Sequence, residues 1–179
     1  MHTDELRERY AAGQREFRDV YLCGANLREV DLAGIRLDGA NLAHADLTSA
    51  CLALASLRGA TLIGAALLFA NLNAVDMRCS NLRRADLTSA SLVGGDLRCV
   101  QLEDGDLSWS NLTQADLSEA RLFGACLFNA DSSSARIRRA DVRIADLRRA
   151  NVKGVDWADT RRDKIIWSEA DLWDDRRWS

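Results

Sequence analysis

A five-residue period constrains this chain more than any other feature. Leu27, Leu32, Leu37, Leu42, Leu47 and Leu52 stand five apart, and the register runs unbroken from Phe17 to Trp157. Of its 29 central positions 22 are leucine; the others are Phe17, Met77, Ser132, Ile137, Val142, Val152 and Trp157. Two residues before each centre from Leu22 onward lies a small or apolar residue, alanine at 18 of 28 positions. The residue just before the centre is usually Asp or Asn, and the two after it are mostly polar. The unit is A-(D/N)-L-X-X, as in Ala40-Asn41-Leu42 and Ala85-Asp86-Leu87.

Regular helices and strands cannot bury such a pattern. An α-helix repeats at 3.6 residues, so leucines five apart would spiral around every face. A strand alternates every two residues, so successive leucines would point to opposite sides. A chain that turns a corner every five residues can bury all of them. Stacked rungs about 4.8 Å apart then cover each leucine with the next.

The repeat resembles the pentapeptide-repeat family over about 141 of the 179 residues. The resemblance implies an all-β fold, a right-handed quadrilateral parallel β-helix with four repeats and about twenty residues per coil. Residues 17–157 would make about seven coils, a rod of roughly 34 Å. Residues 1–16 are expected to form an N-terminal helical cap. Its helix would span 3–12, with Thr3 as N-cap, a Leu6–Tyr10 apolar pair and Gly13 as the stop. Residues 158–179 read as a C-terminal cap or degraded coil. Ala170-Asp171-Leu172 still obeys the repeat there, Arg162 breaks it, and Trp167, Trp173 and Trp178 suit either sealing or a homodimer contact.

The chain contains no proline, and a ladder that uses its backbone N–H groups explains why. No insertion interrupts the register, so no long loop is expected to project. With twenty residues per coil, Asp76, Asp96 and Asp116 stack in one column and Arg58, Arg78 and Arg98 two residues on, which makes them mutually neutralising.

Two surface features are candidates for binding. Ile63, Leu68, Phe69, Trp109, Phe123 and Phe128 occupy outward slots and would gather around one edge as a protein contact. Arg136, Arg138, Arg139, Arg143, Arg148, Arg149 and Lys153 face only Asp141 and Asp146 within residues 136–153, a candidate basic patch.

Five cysteines, Cys23, Cys51, Cys79, Cys99 and Cys126, with no CxxC and no export signal, point to a reducing cytosol. Cys79 and Cys99 would stack on the outside, within disulfide range but expected as thiols. His2 and His44 are the sole histidines, too few for a zinc site. No phosphate loop, HExxH, GxSxG or Cys–His pair occurs, and the aspartates before the leucines belong to the repeat. Non-enzymatic function without cofactor follows: a rigid cytoplasmic scaffold for an unidentified protein partner, monomer or C-terminal homodimer, with no membrane or direct nucleic-acid contact. The alternative is DNA mimicry toward a topoisomerase such as gyrase, as in some relatives of the quinolone-resistance type. A net charge of −3 gives that reading little of the charge density of a duplex.

The register makes Leu87 an interior residue. Leu87→Asp should abolish folding by burying an unpaired charge, observed as loss of the cooperative thermal transition in circular dichroism.

Overall fold

The computed structural model describes residues 1–167. The chain forms a right-handed quadrilateral β-helix headed by one short helix. Parallel bridges join each residue that precedes a central position to the residue twenty further on, from Glu16–Arg36 to Asp146–Ile166. The four faces are named by the central residue that begins each column: Phe17, Leu22, Leu27 and Leu32.

One repeat shows how the backbone is satisfied. In Asp86–Ala90, Asp86 N–H donates to Ala65 O of the coil below at 3.0 Å, and Leu87 N–H donates to Asp106 O of the coil above at 2.7 Å. Ser89 N–H also donates upward, to Ser108 O at 2.9 Å, and Ala90 N–H closes the corner on Leu87 O at 3.0 Å. The fifth donor, Thr88 N–H, is taken by the Asp86 side chain at 2.9 Å.

That last bond explains the Asp/Asn preference. From Asn26 to Asp156, every Asp or Asn in the slot accepts the N–H two residues on, at 2.9–3.4 Å. The corner itself is a type II turn with positive φ at its third residue. Glycine meets that demand at some corners, but 22 non-glycine residues among the described ones adopt it too, including Leu54, Trp109 and the β-branched Ile144. At Gly64 a side chain would also collide with its neighbour, since an added Cβ would lie 2.8 Å from His44 Nδ1.

The core is the tube interior. Every central residue from Phe17 to Val152 is buried, as is every small-position residue from Ile35 to Ala150, Gly95 and Gly105 included. Ser80 and Ser110, in small positions, satisfy their hydroxyls on Met77 O and Leu107 O at 2.6 and 2.7 Å. Ser132, in a leucine position, has no such bond and lies beside a small apolar cavity lined by Leu127, Ile137 and Val152.

At the N-terminus α1 spans Thr3–Ala11. Thr3 lies inside it: His2 is the N-cap, extended and without a side-chain cap bond, so the expected threonine cap does not form. The helix ends in a Schellman motif at Gly13 (φ +93°), where Gly13 N–H donates to Tyr10 O and Gln14 N–H to Arg9 O. Leu6 is fully buried against the first coil, and Tyr10 donates its hydroxyl to Ala33 O at 2.7 Å. At the other end the coil continues past Trp157 through Ile166, with Arg162 exposed in a position elsewhere held by leucine. Trp167 packs on Trp157 at 6.3 Å between ring centroids. The repeat at 170–172 and the tryptophans at 173 and 178 lie outside the described residues.

Proline tests the donor accounting within one coil. Arg136 N–H donates to Ala115 O at 2.9 Å, whereas Arg138 follows no Asp or Asn and its N–H has no partner among the described residues. Arg136→Pro should destabilise by about 1–3 kcal/mol or more. Arg138→Pro, at the turn position that favours proline, should stay within about 1 kcal/mol of wild type in urea melts. Ser132→Leu should raise Tm by filling the cavity and removing the orphaned hydroxyl, a gain of about 1–2 kcal/mol. A lower Tm would show that neighbours have already closed the space.

Candidate functional surfaces

The outward apolar residues lie on the two corners flanking the Leu27 face. Ile63, Leu68 and Phe69 share one coil; Trp109, Phe123 and Phe128 lie higher, across two coils. Between the groups the same slots hold Arg83, Thr88 and Ser89. The expected edge is therefore two islands separated by a polar coil. Phe69, Trp109 and Phe123 are 62%, 56% and 40% exposed, and the other three are half-buried. In the upper island Trp109 meets Phe128 edge-on, centroids 6.0 Å apart. Leu54 and Ile144 are also exposed and were not singled out from sequence; both occupy the corner slot that the repeat always directs outward.

The seven basic residues of 136–153 do not share a face. Arg136, Arg138 and Arg139 belong to the Phe17 face and its corner, and Lys153 to the corner after the Leu32 face. Arg143, Arg148 and Arg149 stand on the two corners that carry the aromatic residues. The set is a collar around one coil, because twenty residues make a full circuit. Acids accompany much of it: Arg136 approaches Asp116 at 3.9 Å, Arg138 Asp156 at 3.6 Å and Arg139 Glu119 at 3.6 Å. One sector joins the upper island, with Arg143 5.5 Å from the Phe123 ring centroid and Arg148 and Arg149 within 6 Å of that of Phe128.

The Asp and Arg columns interlock. Arg78 grips Asp76 with Nε and Nη2 at 2.9 and 2.8 Å, Arg58 reaches the same carboxylate from below, and Arg98 grips Asp96 at 2.8 and 2.7 Å. The same Asp-X-Arg fork recurs at Asp141–Arg143 and Asp146–Arg148. Burial pushes the Asp76 carboxyl up, but its bonds from Arg78 and Arg58 outweigh this and hold it at about 2. Hydrogen bonds from Arg98, Arg143 and Arg148 lower Asp96, Asp141 and Asp146 in turn.

The repeat geometry has a counterpart in known proteins. Eight copies of the family model "Pentapeptide repeats" match, together covering residues 16–154. The chain belongs to the pentapeptide-repeat family. Among solved structures it is similar to HetL, a pentapeptide-repeat protein involved in heterocyst differentiation regulation in Nostoc sp. strain PCC 7120. That match is 27% identical, covers 89% of this chain and 94% of HetL, and has a TM-score of 0.45. Rfr23 of the cyanobacterium Cyanothece 51142 is 19% identical, with 93% and 99% covered and a TM-score of 0.42. QnrB1, a plasmid-mediated fluoroquinolone resistance protein, is 15% identical, with 88% and 84% covered and a TM-score of 0.43. No curated protein matches.

As in any pentapeptide-repeat rod, the chemistry this chain offers lies on the outside of the coils. Among the described residues no three His, Cys, Asp or Glu side chains form a metal-binding group. No helix among them is long and apolar enough to cross a membrane.

The interlocked columns predict an acid limb in stability. Asp76 is held below its unfolded value near 3.9, so its contribution is complete above pH 4 and is lost as pH falls toward 2. Asp76→Asn keeps an oxygen for the Arg78 N–H but loses the charge. Urea melts from pH 6 to 2 should show the variant less stable at pH 6, with the difference shrinking between pH 4 and 2.

Proposed function

We propose that this pentapeptide-repeat protein is a rigid, non-enzymatic rod that binds a partner protein through its upper aromatic island. The observation that carries this reading is the contact of exposed Trp109 with half-buried Phe128 on adjacent loop-free coils, flanked by Phe123, Arg143, Arg148 and Arg149. Exposed tryptophan and phenylalanine beside arginine is the composition of binding hot spots. The backbone ladder holds these side chains on fixed corners, so binding orders little chain. A cytosolic setting suits five cysteines without a paired framework.

Ion pairing argues against the alternative of DNA mimicry. Acidic columns that would imitate phosphates are gripped by arginines at Asp76, Asp96, Asp141 and Asp146, and the collar at 136–153 adds positive charge. A duplex presents about one negative charge per 1.7 Å.

Alanine at Phe69, Trp109 and Phe123 together should leave the circular dichroism spectrum and Tm close to wild type. It should also weaken capture of the partner found by pull-down at least tenfold. Trp109→Ala with Phe123→Ala should account for most of that loss and Phe69→Ala for little. Undiminished capture would move the contact to another face. In a gyrase supercoiling assay the wild-type protein should neither inhibit the enzyme nor protect it from a quinolone; either effect would reverse the ranking.

A further inference from the structure

Cys79 and Cys99 occupy the same corner slot on successive coils. Their residues are in register: Cys79 N–H donates to Arg98 O at 2.9 Å, the nearby bridge pairs Asp76 with Asp96, and the two have matching φ values of 56° and 57°. Matching backbones twenty residues apart send both side chains off the corner in parallel. Coil spacing of about 4.8 Å falls inside the Cα range of disulfides. The other cysteines lack such a neighbour. Above Cys23 stands Ala43, beside Cys51 stand Asp31 and Asn71, and beside Cys126 stand Asp106 and Asp146.

We propose that Cys79 and Cys99 form a redox-sensitive dithiol that closes into a reversible disulfide between adjacent coils. Both thiols line a shallow surface groove with Arg78, Arg98, Ser118 and Glu119, open to a small thiol reagent. Their roles differ. Cys79 is exposed, whereas Cys99 is half-buried, and burial with the neighbouring Cys79 thiol pushes it up to about 11. Cys79 is therefore the thiol that the oxidant reaches first, and it attacks. The Cys99 thiol donates to Glu119 Oε2 at 3.6 Å, which gives its proton an acceptor at the second step.

With oxidised glutathione as oxidant, the Cys79 thiolate attacks one glutathione sulfur. The glutathione S–S bond breaks, and one glutathione leaves as thiolate. Cys99 then gives its proton to Glu119, and its sulfur displaces the second glutathione from Cys79. Two protein thiols are oxidised and one glutathione disulfide is reduced to two thiols. The ladder keeps the second thiol beside the first, so ring closure outruns accumulation of the mixed disulfide. Disulfide Cβ atoms stand closer than the coil spacing, so closing the bond draws two coils together by a few tenths of an ångström. Such a bond opens readily to reduced glutathione.

The full-length protein is incubated with oxidised glutathione, acid-quenched, alkylated and weighed intact. Wild type should lose two hydrogens, keep three of its five alkylatable thiols and yield a peptide linked through Cys79 and Cys99, all reversed by reduced glutathione. Cys79→Ser and Cys99→Ser, checked for an unchanged circular dichroism melt, should not lose the two hydrogens, and Cys99→Ser should accumulate a glutathione adduct on Cys79. Cys23→Ser should behave as wild type. Five surviving thiols in wild type, a persistent wild-type glutathione adduct, a disulfide between chains, or loss of two hydrogens in Cys79→Ser would each overturn the proposal.

Discussion

The coil-to-coil hydrogen-bond ladder is the constraint from which the rest of the molecule follows. Five residues bring five N–H groups to each side of the square. In a repeat such as Asp86–Ala90 two go up, one goes down, one closes the corner and one goes to the aspartate. A buried or half-buried donor left alone costs about 1–3 kcal/mol, so the register has little freedom to slip. The same accounting explains a chain without proline and the choice of Asp or Asn before leucine. A side-chain oxygen there takes the donor that the ladder cannot reach.

That ladder also sustains an unfavourable backbone. The left-handed region costs a non-glycine residue roughly 1–2 kcal/mol, and 22 such residues occupy it here. Most are held by a ladder bond from their own N–H and a corner bond from the next residue, so strain and constraint are spread along the rod. Corners thus accept almost any side chain that can face outward. This is how Trp109, Leu54 and Cys99 come to stand in equivalent places.

Period five, the leucine and alanine columns, the twenty-residue stacking and the Gly13 stop were legible because each recurs or follows one local rule. Thr3 was misread as a cap because three adjacent polar residues can each begin a helix, and packing of Leu6 and Tyr10 on the first coil sets its phase. The Asp-X-Arg fork is written in the sequence at Asp76, Asp96, Asp141 and Asp146, but twenty-residue stacking predicts only the columns and not this shorter contact within a repeat. Grouping by linear distance failed for residues 136–153: eighteen residues look like a patch on the line and become a collar on the square. Phe69 and Trp109 share a column, yet Ser89 between them divides the apolar edge.

The fixed step of the ladder bears on how the molecule is made. Partners twenty residues apart in a chain of 179 give a relative contact order of about 0.1, closer to helical bundles than to β-sandwiches. Each coil needs only a neighbouring coil as a template, so structure propagates rung by rung. α1 precedes every coil in the chain, and its Leu6 and Tyr10 close the first one. A helix already docked there gives the first rungs a finished surface to add to.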